Sequence, residues 1–102
     1  MSIQSKTGIR HQVSAWGGEQ FLIIPEQIVN TLGGSFRLLD IYVQVFGQEG
    51  LDAGDDPDST RVGGWIGPDN QRPDHVALGL ARFADETSIQ ALVNNIEAAC
   101  GY

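Results

Sequence analysis

The sequence predicts an α+β protein: a two-layer sandwich with a mostly antiparallel sheet and two helices on one face, in the order β-β-α-β-(β)-β-α. Three observations carry that expectation. The stretch Phe36 to Phe46, FRLLDIYVQVF, places Leu39, Ile41, Val43 and Val45 at the two-residue period of a strand, which marks it as the middle of the sheet. Near the C-terminus Ile89, Leu92, Val93, Ile96 and Cys100 recur at helical spacing behind Asp85, a residue suited to an N-cap, with Glu86 in the first turn. Before residue 25, two apolar-alternating segments flank Gly17 and Gly18, as in a hairpin.

Taken in order, residues 1–8 are polar and read as loose. From Ile9 the first strand sets Ile9, His11, Val13 and Ala15 against Arg10, Gln12, Ser14 and Trp16. A two-residue turn at Gly17 and Gly18 would put Trp16 opposite Glu19, Val13 opposite Leu22 and His11 opposite Ile24, the return strand being Glu19 to Ile24. Pro25 suits a first helical turn, and Ile28, Val29 and Leu32 form the apolar stripe of a short helix that Gly33 stops. Gly33 and Gly34 then release the chain into the central strand. The even positions of that strand (Phe36, Leu38, Asp40, Tyr42, Gln44, Phe46) mix large apolar and polar groups, as on a partly covered face. A long Gly-, Pro- and Asp-rich loop follows at 47–75, with one small strand candidate, Arg61 to Ile66. His75 to Phe83 reads as a strand with Val76, Leu78 and Leu80 on one face and Ala77, Gly79 and Ala81 on the other; the small-residue face would let the C-terminal helix approach closely.

At 102 residues the chain, 1–102, is expected to form a single domain. Its formal net charge is −7, Lys6 is the only lysine, and Arg10, Arg37, Arg61, Arg72 and Arg82 are scattered. No basic stripe exists to neutralise phosphates, so direct nucleic-acid binding is not expected. MSIQSKTGIRHQ lacks the apolar core of a signal peptide, and the longest aliphatic or aromatic run is Phe21 to Ile24, so neither a secretion signal nor a membrane span is expected. The single cysteine, Cys100, cannot close an internal disulfide, which points to a reducing compartment: the cytoplasm, or a host's cytoplasm if the gene is viral. Cys100 itself falls on the apolar stripe and reads as core packing.

No G-x-G-x-x-G follows a strand, and the Walker loop, H-E-x-x-H, G-x-S-x-G and paired C-x-x-C motifs do not occur, so no catalytic residue and no cofactor is predicted. The carboxylates Glu49, Asp52, Asp55, Asp56 and Asp58 do not match the spaced calcium loop. They read as a solvated face that would meet a basic surface on another protein, with encounter speeded by complementary charge. Trp16 and Trp65, near polar loops, serve either as interface anchors or as caps on the core edge. Tyr42 and Phe46, on the partly covered face, would add to a dimer or partner surface. The expected function is that of a small acidic interaction protein, an inhibitor, adaptor or assembly component of the kind phages use against host machinery. It would dock through Trp16, Glu49, Asp52, Asp55, Asp56, Asp58 and Trp65, with homodimerisation across the open sheet face or edge.

His11 opens RHQVSAW and His75 opens DHVALGL. The latter, with a helix ending LVNNIEAACGY and with TLGGSFRLLD as a helix-to-strand junction, resembles half-modules of the vicinal-oxygen-chelate (glyoxalase and dioxygenase) superfamily. The resemblance spans roughly half of the chain and stops short of a second module. It implies an alternative function: a dimeric metal- or small-ligand-binding protein with an incomplete version of that fold, in which His11 and His75 hold a divalent metal ion. Apart from the resemblance, a lone strand histidine ordinarily packs or stays exposed.

Overall fold

The computed structural model describes residues 2–13, 20–52 and 75–102. These form β1 (Arg10–Val13), β2 (Gln20–Pro25), α1 (Glu26–Leu32), α2 (Ser35–Asp52), β3 (His75–Gly79) and α3 (Glu86–Ala99). The sheet runs β1-β2-β3 and is antiparallel throughout. The α+β class is the one expected, with helices layered on one face of an antiparallel sheet.

The pairing assigns each side chain to a face. His11 lies opposite Leu22 and Leu22 opposite Leu78, while Ile23 lies opposite Arg10 on one side and Ala77 on the other. Paired residues share a face and neighbours along a strand alternate. Leu22, Ile24, Val76 and Leu78 therefore point to the helical layer, where they join Ile28 and Val29 of α1, Leu38, Ile41, Tyr42 and Phe46 of α2, and Ile89, Leu92, Val93 and Ile96 of α3 in one buried cluster. Phe21, Ile23 and Ala77 form a separate buried cluster on the other face. The helices thus pack on the large-residue face of β3, not on its Ala77 and Gly79 face as the sequence suggested. Bulky aliphatic side chains supply the area a helix must bury; small ones do not.

The main correction concerns the segment expected to be the central strand. Phe36 to Phe46 is helical, part of α2. Leu38, Ile41, Tyr42 and Phe46 are buried at i, i+3, i+4 and i+8, with Val45 packed at the margin. The residues between them, Arg37, Asp40 and Gln44, are exposed, and Phe36 stands 87% exposed. Gly33 and Gly34 do not release an extended strand. Gly33 adopts φ 104°, its N–H donates to the Asn30 carbonyl, and that of Gly34 donates to Val29. This is a Schellman termination of α1. The Leu38 N–H then bonds back to the Gly34 carbonyl, so a second helix starts at once. Helix α2 also continues through the start of the segment taken as a loop at 47–75, bending at Gly47, whose φ of 70° and ψ of −179° break the helical path. The rest of that segment, with the strand candidate at 61–66, lies outside the described residues.

The hairpin is present in a different register. His11 faces Leu22 where Ile24 was expected, and Val13 faces Gln20 where Leu22 was expected, a slip of two residues. An even slip leaves every side chain on its predicted face. Continued by one step, the observed register sets Ile9 beside Ile24, and Ile9 is buried whereas Val13 is 52% exposed. The glycine turn at 17–18 lies outside the described residues.

Helices α1 and α3 follow their sequence signals. The Asp85 carboxylate accepts the Ser88 N–H at 2.8 Å, and the Ser88 hydroxyl accepts the Asp85 N–H at 3.0 Å, a reciprocal capping box. The Ser88 N–H, more than any other group, holds the Asp85 carboxyl below the usual carboxylate range. The N-terminal residues are not loose. Ile3 packs against the core, and Ser5 to Thr7 are tied to α3.

Where α2 bends, Tyr42 is fully buried, its ring 4.9 Å from that of Phe46, and its hydroxyl donates to the Gly50 carbonyl at 3.3 Å. A side chain at Gly50 would have no room: its Cβ would collide with the Cβ of Phe46 and touch the Tyr42 ring at 3.4 Å. Gly50→Ala is therefore expected to destabilise the protein by about 1–3 kcal/mol despite the better helix propensity of alanine, read as a lower urea midpoint.

Burial pushes the Tyr42 phenol up to about 12, against a backbone hydrogen bond with Ala81 that lowers it. A group raised on folding stabilises fully below its unfolded value, here 10.0, and loses that contribution as pH climbs toward the folded one. Wild-type stability should fall by about 2–3 kcal/mol more than that of Tyr42→Phe between pH 9 and pH 12, in urea titrations run at each pH.

Candidate functional site

Of the residues predicted to bind a partner, Trp16, Asp55, Asp56, Asp58 and Trp65 lie outside the described residues. Glu49 is exposed beyond the Gly47 bend, and Asp52 closes α2. Tyr42 and Phe46, expected on a dimer or partner surface, are instead in the core, because a helical period turns them inward.

The two histidines do not converge. His11 shares its row and face with Leu22 and Leu78. His75 pairs with Pro25, three residues along β3 from Leu78, so it points to the opposite face. His11 instead joins a structural relay: its Nε2 meets the Gln20 Oε1 at 2.9 Å, and the Gln20 Nε2 donates to the Ala84 carbonyl at 3.3 Å. With the amide oxygen turned toward the ring, Nε2 is the protonated nitrogen. Among the described residues, no group of three His, Cys, Asp or Glu side chains could hold a metal ion.

The most developed polar constellation centres on Glu97, which sequence reasoning missed. Its carboxylate is buried on α3, where Oε2 accepts from the Ser5 hydroxyl (2.9 Å), the Lys6 N–H (2.6 Å), the Thr7 N–H (3.0 Å) and the Thr7 hydroxyl (2.9 Å). The Ser5 oxygen also accepts from the N–H groups of Thr7 and Ile9, which fixes the curve of the segment. Burial alone would raise the Glu97 carboxyl, but the Ser5 and Thr7 hydroxyls and the Lys6 and Thr7 amides outweigh it and pull the group below its usual range. Two turns earlier, the Gln90 side chain mimics a ladder: its Oε1 accepts from the Gln4 N–H and its Nε2 donates to the Gln4 carbonyl, both at 2.9 Å. Ser2, Gln4, Ser5 and Lys6 on one side and Glu86, Gln90, Asn94 and Glu97 on the other line a groove of about 490 Å³. Four donors on one oxygen fix the carboxylate in place, so Glu97 anchors residues 5–7 to α3.

The sequence held one sign of this. Glu97 lies one helical turn beyond Val93 and next to Ile96, so the apolar stripe of α3 carries it inward. A carboxylate there must find donors. Which donors could not be read, since they lie some ninety residues away in the chain.

No family model, curated protein or solved structure matches the chain. Among the described residues, no helix is long and apolar enough to cross a membrane.

Cys100 packs at the edge of the core with its thiol directed at the Ile28 carbonyl, 3.7 Å away. Burial raises its pKa, and the nearby Glu97 charge raises it further, so little thiolate forms at neutral pH. Cys100 in the native protein should react several-fold more slowly with an aromatic disulfide reagent at pH 8 than in the urea-unfolded chain. Equal rates would show that the thiol is neither shielded nor raised.

Proposed function

We propose that this chain is a small acidic interaction protein, an inhibitor, adaptor or assembly component that binds a basic surface on another protein in a reducing compartment such as the cytoplasm. The supporting observation is its charge. The net charge is −7 with one lysine, and Glu49, Asp52, Asp55, Asp56 and Asp58 fall within one short stretch that begins on the exposed end of α2. Such a field speeds encounter with a cationic partner and suppresses contact with anionic ones. Trp16 and Trp65 supply the aromatic anchors in this reading, and Phe36, exposed on the outer side of α2, is a further large apolar group open to contact. The open face of a central strand at Phe36 to Phe46 forms no part of it, since that segment is helical, whereas association of two copies along a sheet edge stays within the reading.

The test is a four-site variant, Asp52→Asn, Asp55→Asn, Asp56→Asn and Asp58→Asn, titrated against the partner recovered by affinity capture. Affinity should fall by about tenfold or more at low salt and approach that of the wild type in high salt, with the unfolding midpoint nearly unchanged. Equal affinity at low salt would reject the reading.

A further inference from the structure

We propose that residues 2–8 are a releasable strap latched by the Glu97 carboxylate, closed while Glu97 is charged and open once it is neutral, with the sheet and helices intact in both states. The latch is concentrated at one atom. The donors of Ser5, Lys6 and Thr7 converge on Oε2, so neutralising the carboxylate weakens all four charge-assisted bonds together. The other attachments are weaker. The Gln4 and Gln90 pair is exposed, where water competes for each bond, and Ile3 is only partly buried.

The strap is also separable from the fold. It contributes no rung to the sheet, whose first pairing is Arg10 with Ile23. It joins β1 through Gly8, at φ 88°, a conformation that lets the chain turn sharply off the strand. Local opening is the behaviour of segments with few buried apolar contacts and solvent-exposed hydrogen bonds. Opening has a consequence beyond the strap itself. Ser2, Gln4, Ser5 and Lys6 form one wall of the groove whose other wall is Glu86, Gln90, Asn94 and Glu97, so release abolishes the groove and frees the polar face of α3.

The hydrogen-bond donors of Ser5, Lys6 and Thr7 set the direction of the response. Of the charged and titratable groups nearby, Lys6 and Glu86 line the same groove, and the Cys100 thiol is neutral at neutral pH. The Tyr102 N–H donates to the Glu97 backbone carbonyl and not to its carboxylate. Because the donors hold the carboxyl below its ordinary value of 4.5, the strap stays closed at neutral and mildly acidic pH and opens as pH falls through the lowered value.

The experiment follows backbone amide resonances of the full chain. In Glu97→Gln at pH 7, the Lys6 and Thr7 amides should move to unstructured positions while those of Leu22, Leu78 and Leu92 keep their native shifts. In the wild type the same two amides should titrate with a midpoint below 4.5, ahead of any change in the three core amides. Native Lys6 and Thr7 shifts in Glu97→Gln would overturn the proposal, as would strap and core amides moving with one midpoint. Should Glu97→Gln fail to fold, Ser5→Ala with Thr7→Ala decides. That pair leaves the charge in place and removes two donors, so it should raise the Glu97 midpoint and loosen residues 2–8 alone; an unchanged midpoint overturns the latch.

Discussion

A three-stranded sheet has one broad face to offer a core, and in this protein three helices must share it. Leu22, Ile24 and Leu78 form the floor, and none of them touches water. Each such side chain is worth about 1.5–3 kcal/mol when fully buried, but only if the cover is continuous. Helices α2 and α3 pack on one another while α1 sits against β2 and β3, so the cover is a layer whose parts depend on each other. The hardest term in that layer is Tyr42, which brings a hydroxyl into a dry site. The bend at Gly47 and the bare Cα of Gly50 solve it by delivering a backbone carbonyl to the phenol without displacing Phe46. Two glycines that look like loop punctuation in the sequence are thereby conditions of the core.

Why α3 and α1 were legible and α2 was not follows from the same packing. In α3 the apolar positions agree only with a helical period, and Asp85 with Ser88 marks the start, so local and tertiary signals coincide. The run from Leu38 to Phe46 contains so many apolar residues that it satisfies both periods. Read as a strand it exposes Asp40 and Gln44 beside Tyr42; read as a helix it exposes them with Arg37 on one side and leaves Leu38, Ile41, Tyr42 and Phe46 together. The β-branched Ile41, Val43 and Val45 tilt intrinsic preference toward the strand, by well under 1 kcal/mol each. Burying a complete stripe against α3 outweighs that. The hairpin shows a milder form of the same limit: alternation assigns the faces of β1 and β2 correctly, but the register depends on which residue, Ile9 or Val13, gains more from the core.

The polar site was less legible than the fold because its two halves lie at opposite ends of the chain. Ser5, Lys6 and Thr7 look like the start of a loose tail, and Glu97 looks like one more charge on a helix near its end. Only the tertiary structure brings them within hydrogen-bond distance. The histidines illustrate the converse error. His11 and His75 occupy similar places in their strands, yet a count of rungs along β2 and β3 puts them on opposite faces. Likeness of local context says nothing about convergence in space.

The carboxylates of this protein divide into two electrostatic populations with different physics. Those at the surface, Glu26, Asp40, Glu49, Asp85 and Glu86 among the described residues, act through solvent and fade over a distance of about 10 Å at 0.1 M salt. Glu97 acts through four contacts of hydrogen-bond length inside a folded segment, where mobile ions cannot enter between the charge and its donors. Salt therefore weakens what the surface does and leaves the latch alone. The four donors hold the Glu97 carboxyl below its ordinary range, so its charge, and the bonds that depend on it, persist into mildly acidic solution. The exposed carboxylates and the Glu97 contacts thus respond separately in one molecule: salt screens the first and leaves the four bonds of the second in place.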